Sequence, residues 1–312
     1  MILIIGSGLV GSSIAFLCAS NSLDDIVLLN RTKSKAIGEA LDISNAIPKN
    51  SDITIRGTDD YSEISNANII VIAASTGGYV ENRNETIDAQ VEMIKEIGGK
   101  IKTNCSSPIV LIVSNPVDIL TYFFQKETNF SKNNVIGIAS SLDSSRFRYF
   151  LSKKIGVKQS QISNAYVLGE HGDSMVPIFS KTKINGKNVL EIIDSKQKEE
   201  ITRETRNYWK SVRSFKSRSQ FGIAKNTFDV IETIIDNQDL FIPASVLLEG
   251  EFGEKDVCMG VPIKITSKGI TEIQEMELDE SELELLKISA QTIRKNIQST
   301  NLNTITHKAR VS

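Results

Sequence analysis

Through its first 140 residues the chain alternates between two textures. Short runs of apolar, mostly β-branched residues (Ile2–Ile5, Ile26–Leu29, Ile69–Ala74, Ile109–Val113, Val135–Ile138) are separated by helical stretches near 10–20, 33–46, 85–103 and 117–127. An unbroken apolar run of this length marks a strand covered on both faces, because a half-exposed strand would alternate. Strand, helix, strand in succession needs right-handed crossovers, which points to α/β architecture with a doubly wound parallel sheet.

Beyond about residue 140 the order changes. A helical stretch from Asp143 precedes an extended run, Ile162–Leu168, then a charged helical segment near 196–213 and another near 220–236. Phe241–Leu248, Val257–Ile265 and Ile270–Glu275 look like antiparallel strands, punctuated by Gly250, Gly253, Gly260 and Gly269. A helix from about 280 to 298 follows, with Asp279 and Glu282 as a capping pair and Leu286, Ala290, Ile293 and Ile297 as its buried stripe. No repeat or flexible linker separates the halves. The expectation is two domains, 1–140 and a mixed α+β domain over 141–312, meeting at a packed junction.

Gly6-Ser7-Gly8-Leu9-Val10-Gly11 follows the first apolar run directly and opens the first helix. Glycines at this spacing allow a tight turn, close approach of backbone to a pyrophosphate, and close helix–strand packing. The helix N-terminus then faces the phosphates with unpaired N–H groups. The same glycines would also suit a turn in another α/β fold, but the strand–turn–helix setting favours a dinucleotide. The second run ends in Asn30-Arg31, where an acid would hold the adenosine ribose. Asparagine removes the charge that repels a 2′-phosphate and arginine can bind one, so the pair leans towards NADP while NAD stays open. The other reading has Asn30 bonding a ribose and Arg31 in solvent.

A net charge of −2, from 36 basic and 38 acidic residues, calls for neither nucleic acid nor a membrane surface. The basic stripe Arg203, Arg206, Lys210, Arg213 is interleaved with Glu199, Glu200 and Glu204, as on a solvated face or a subunit contact. Cys18, Cys105 and Cys258 stand far apart, without a CxxC pair, which argues against a zinc ribbon and a disulfide framework. With no signal-peptide pattern after Met1 and no apolar run long enough to span a bilayer, the expected compartment is the cytoplasm.

Only two histidines are present. His307 lies in a polar C-terminal stretch. His171, in Gly169-Glu170-His171-Gly172-Asp173, follows a strand end, which suits either an exposed catalytic group or a turn. Asp143 and Arg146 place a carboxylate and a guanidinium one helical turn apart, as an ion pair or as parts of a site. Arg83 lies in a polar, glycine-containing loop, Ser75 to Glu85, where a lid over a ligand would sit. Ser114-Asn115-Pro116 ends the fourth run on the same side.

GSGLVG, VLLNRTKSKAIGEALDI, VSNPVD, LDSSRFR, LGEHGDSMVP and VCMGVPIKI occur in the order and spacing of the L-lactate/malate dehydrogenase family, which the chain resembles from Ile2 to about Asn296. The resemblance implies a Rossmann-type first domain, NAD(P)-linked interconversion of 2-hydroxy and 2-oxo acids, a cis Asn115-Pro116 bond, and a homodimer or homotetramer. It makes His171 the proton donor and acceptor, Asp143 its orienting carboxylate, Arg146 the clamp on the substrate carboxylate, and Arg83 the group that polarises the carbonyl. Asn115 would bond near the substrate oxygen and Ser219 would line the pocket. Gly6, Ser7, Gly8, Leu9, Val10, Gly11, Asn30, Arg31, Ala74 and Asn115 would contact the coenzyme.

One departure from the family pattern bears on the substrate. The residue six before the loop arginine, arginine for malate and glutamine for lactate, is here Gly77. The wording HGDSMVP resembles lactate-dehydrogenase-like malate dehydrogenases, so malate leads. Lactate or a branched 2-hydroxy acid is the alternative, and a catalytically silent dinucleotide-binding protein the alternative of another class.

Overall fold

The computed structural model describes residues 1–77 and 83–311, with side chains described for 1–77 and 87–300. The first half runs β1 (Ile2–Ile5), α1 (Leu9–Ser20), β2 (Ile26–Leu29), α2 (Lys33–Ser44), β3 (Ile55–Thr58), β4 (Ile69–Ile72), α3 (Arg83–Asn104), β5 (Ile109–Ile112), α4 (Val117–Thr128) and β6 (Val135–Gly137). These six strands are parallel, in the order β3-β2-β1-β4-β5-β6. Every residue of β1, β2, β4 and β5 is buried, as runs covered on both faces require.

β3 is not among the apolar runs of the sequence. Ile55-Arg56-Gly57-Thr58 is a partly exposed edge strand with one large apolar residue, so it carries no apolar signature.

The second half comprises α5 (Ser140–Ile155), β7 (Ile162–Ser163), β8 (Val167–Leu168), β9 (Val176–Pro177), β10 (Lys183–Ile184), β11 (Lys187–Asn188), α6 (Ser195–Arg213), α7 (Phe221–Ile235), β12 (Leu240–Glu249), β13 (Lys255–Thr266), β14 (Gly269–Ile273) and α8 (Glu280–Val311). β12, β13 and β14 are antiparallel to one another, and β12 joins the edge of the parallel sheet antiparallel to β6, pairing Ser245 with Gly137. The result is one nine-stranded sheet. It crosses the division drawn at residue 140, and one apolar core runs with it, from Ile2 to Ile297.

Two expected elements differ. The extended run 162–168 is two short strands, broken where Asn164 takes a left-handed φ of 55°. The capping pair at α8 is half formed: the Glu282 N–H donates to Asp279 Oδ1 at 2.7 Å. The Glu282 carboxylate turns instead to Phe179 and Ser180, accepting their backbone N–H groups at 2.9 and 3.0 Å and the Ser180 hydroxyl. It thereby satisfies donors buried behind β9. Among the described residues no helix is long and apolar enough to cross a membrane.

Candidate active site

β1 turns into α1 through the glycine loop. Gly6 has φ +105°, and a side chain there would strike the backbone of Ala73 and Ala74 at 2.7–2.8 Å. Gly11 sits so close to the same turn that a Cβ would lie 1.9 Å from the Gly6 carbonyl oxygen. A Cβ on Gly8, by contrast, would meet nothing within 4 Å. That open side faces a cleft of about 470 Å³ lined by Ser7, Gly8, Leu9, Ser12, Ser34, Lys35, Gly38, Glu39 and Gln220. Among the described residues no side chain caps the N-terminus of α1, and the buried Ser12 hydroxyl in its first turn has no hydrogen-bond partner. An uncapped helix start, an orphan hydroxyl and a glycine with open space form a cradle that fits a pyrophosphate.

Asn30 closes the end of β2 onto this loop. Its Nδ2 donates to Ser7 Oγ at 2.9 Å, and its Oδ1 accepts the Thr32 N–H at 2.9 Å. Arg31 donates to the Thr76 carbonyl at 3.2 Å, and its Nη2 lies 3.6 Å from where a Cβ at Gly77 would stand. Ala74 is held beside the loop by its carbonyl, which accepts the Ser114 hydroxyl at 2.6 Å.

The second cluster forms on the first turns of α5 and the loop after β8. α5 begins at Ser140, three residues before the expected start, so Asp143 lies within its first turn and Arg146 one turn on. Both are buried, Asp143 at 1% and Arg146 at 7% exposure. The Asp143 carboxylate is shared: Oδ1 accepts from Arg146 Nη1 at 2.9 Å and Oδ2 faces His171 Nδ1 at 2.6 Å. The His171 loop is pinned to the main sheet by reciprocal backbone hydrogen bonds between Gly169 and Gly260 at 2.8 and 2.9 Å. This approach needs glycine twice, since a Cβ at 260 would lie 2.0 Å from the Ser140 hydroxyl and Gly169 has φ +84°.

Burial opposes charge on the imidazole, but the Asp143 carboxylate against Nδ1 outweighs it and holds the His171 pKa above its ordinary value. Burial likewise works against ionised Asp143, and the two cations around it win, keeping its pKa below the usual range. With Nδ1 facing the Asp143 carboxylate, Nε2 is the ring nitrogen left to meet a substrate, and the side chain remains 19% exposed. Arg146 also donates to Ser219 Oγ at 3.3 Å and stacks 5.1 Å from the Tyr208 ring centroid on α6, while its Nε–H has no partner among the described residues. A guanidinium beside an imidazole whose charged form is favoured is an arrangement for holding a carboxylate while moving a proton.

Residues 1–137 match the family model for the NAD binding domain of lactate/malate dehydrogenases, and residues 140–303 match that for the family's alpha/beta C-terminal domain. The chain belongs to the lactate/malate dehydrogenase family. It is 34% identical to a malate dehydrogenase of Trichormus variabilis over 95% of this chain and 92% of that one. It is 30% identical to L-lactate dehydrogenase 2 of Enterococcus faecalis over 96% and 97%. The solved malate dehydrogenase of Aeropyrum pernix superposes with a TM-score of 0.91 at 32% identity, covering 96% of this chain and 98% of that one. The protein is thus an oxidoreductase of this family with its Rossmann-type sheet and mixed C-terminal part.

Within that family frame, the structure brings His171, Asp143, Arg146 and Ser219 together. Asn115 forms the cis bond to Pro116 at the start of α4 and is exposed. Arg83 opens α3 and does not lie in the preceding loop, because the helix begins two residues earlier than its apolar periodicity shows. The Arg83 and His307 side chains, and residues 78–82 of the loop, lie outside the described residues.

Asp118, in the first turn of α4, joins the site although little in its sequence setting marks it as functional: its Oδ2 accepts the His171 backbone N–H at 2.7 Å. Its only signal was an acid three residues after Asn115 in an otherwise apolar Asn-Pro-Val-Asp-Ile-Leu stretch. Tyr208, Ser12 and the Ser34–Lys35 edge of the cleft were also missed, since only the folded chain places them.

Proposed function

We propose that the enzyme is a malate dehydrogenase, interconverting oxaloacetate and L-malate with NADPH or NADH, through His171 as the proton donor and acceptor. The observation that carries the chemistry is the buried Asp143 carboxylate shared between His171 and Arg146. The coenzyme, when bound, supplies the hydride. In reduction, His171 Nε2 gives its proton to the keto oxygen as hydride adds to the carbonyl carbon, and the ring is left neutral; oxidation runs the same transfer backwards. Asp143 holds the tautomer and favours the imidazolium, and the Arg146 guanidinium clamps the α-carboxylate. Arg83 polarises the carbonyl, Asn115 bonds near the reacting oxygen and Ser219 lines the wall. Residues 1–140 carry the coenzyme and 141–312 most of the substrate site.

Relatives named malate dehydrogenases at 32–34% identity support the substrate reading. Lactate or a branched 2-hydroxy acid is the second reading, favoured by Gly77, which brings no side chain to the discriminating position. The lean to NADPH rests on Asn30, whose oxygen is already engaged, and on Arg31, Ser34 and Lys35 around the uncapped start of α2. A second copy of the chain is the proposed partner, fitting the exposed Phe16, Leu41 and Phe221 on α1 and on the α2 and α7 that each pack against it. The free cysteines accord with the cytoplasm.

The test is initial rates with NADPH and NADH against oxaloacetate, pyruvate and 4-methyl-2-oxopentanoate at matched concentrations. The highest kcat/KM for oxaloacetate, with NADPH at least equal to NADH, is expected. A preference for pyruvate or the branched acid overturns the malate reading, and strict NADH dependence overturns the coenzyme reading.

A further inference from the structure

A second carboxylate contacts the His171 segment, and the proton transfer just described does not use it. Asp118 is 3% exposed, in the first turn of α4 three residues after Asn115. Its Oδ2 holds the His171 backbone N–H at 2.7 Å. Its Oδ1 is buried without a well-formed hydrogen bond among the described residues, although the Ser245 hydroxyl on β12 lies near enough to favour the ionised carboxylate; the Thr121 hydroxyl, one turn along α4, is likewise buried and unpartnered among them. An acceptor for one backbone N–H needs no charge, and an amide would serve at far lower desolvation cost. The carboxylate is the expensive choice.

Among the described residues, the groups facing it come from three elements. His171 and Glu170 come from the loop after β8, the Ser245 hydroxyl from β12 and the Cys258 thiol from β13. Burial dominates and pushes the Asp118 pKa up to about 6, against the pull of Ser245, the His171 N–H and the imidazolium. The coupling is mutual. His171 faces Asp143 and Asp118, which favour its charged form, and Arg146, which opposes it.

We propose that Asp118 is a positioning residue for His171: it fixes the backbone at residue 171 and adds a second buried carboxylate to the surroundings of the ring. This rests on the reading of His171 as the proton donor and acceptor. Reduction needs the imidazolium and is lost as pH rises through the His171 pKa; oxidation needs the neutral ring and is lost as pH falls through it. Taking away a negative charge nearby therefore moves both limbs downward together. A loss of packing alone would lower both rates without moving either limb.

The chain has two histidines, so the His171 imidazole is identifiable by NMR once His307→Gln has removed the other signal. In Asp118→Asn, which keeps an oxygen for the N–H, the His171 midpoint is expected to fall by about one pH unit. The limbs of both pH–rate profiles should follow, with the coenzyme KM within about twofold of wild type. Ser245→Ala leaves Asp118 in place and removes a group that favours its ionised form. It is expected to move the midpoint the same way by less, and it serves as the test if Asp118→Asn does not fold. An unchanged midpoint in the folded variant overturns the proposal. The midpoint is read without turnover, so retained activity in His171→Ala would overturn the underlying reading separately.

Discussion

Asp143→Asn is the most informative single change, because one buried carboxylate holds two cations. The wild-type oxygens lie 2.6 Å from His171 Nδ1 and 2.9 Å from Arg146 Nη1, with Asp143 only 1% exposed. Asparagine has the same shape, but its one oxygen serves one cation and its NH₂ faces the other as a second donor. The variant strands a guanidinium that is itself 7% exposed. Removing one partner of a buried pair costs about 3–5 kcal/mol. With an unfolding entropy of about 2.1 cal/mol/K per residue over 312 residues, that lowers Tm by about 5–8 °C.

The pH dependence sharpens the test. Asp143 has a lowered folded pKa, so its contribution is present above its unfolded value of about 3.9 and lost as pH falls through the folded one. His171 has a raised folded pKa, so its contribution is complete below about pH 6.5 and lost as pH rises through the folded one. The Tm gap between wild type and variant should be widest at about pH 4–6.5 and narrow on the alkaline side. Calorimetric melts from pH 4.5 to 9 measure it. A gap under about 2 °C, or one constant across that range, refutes the reasoning.

Two further outcomes are expected. Arg146→Lys replaces a planar fork with a point charge, and loss of one charge-assisted bond worth about 1.5–3 kcal/mol should cut kcat/KM for the 2-oxo acid by about 10- to 150-fold, with coenzyme affinity unchanged; steady-state kinetics and a coenzyme titration check this. Glu282→Ala orphans the Phe179 and Ser180 N–H groups and should cost about 2–4 kcal/mol in denaturant melts, with Glu282→Gln losing less. Equal loss in both would contradict the account.

The parallel sheet was readable because strands covered on both faces leave continuous apolar runs, and the bounds of β1 and β2 fall where those runs end. β3 left no such mark, since an edge strand needs few apolar residues and Gly57 is there to let Ala36 of α2 come close. The union of β12 with β6 was hidden for another reason: an antiparallel hairpin has the same local pattern whether it stands alone or extends a sheet. At the site, Asp143, Arg146 and His171 were legible as residue types in family spacing. Asp118 was not, because its meaning is a contact 53 residues away along the chain. Asn30 was seen as a coenzyme determinant, but its bond to Ser7, which closes β2 onto the glycine loop, exists only in three dimensions.

The central claim is that His171 moves the proton. The most direct test is kcat/KM for 2-oxo acid reduction by His171→Ala, alongside its coenzyme dissociation constant from nicotinamide fluorescence. The account predicts a fall of about 10²- to 10⁴-fold with coenzyme binding unchanged. Turnover within about tenfold of wild type would contradict it.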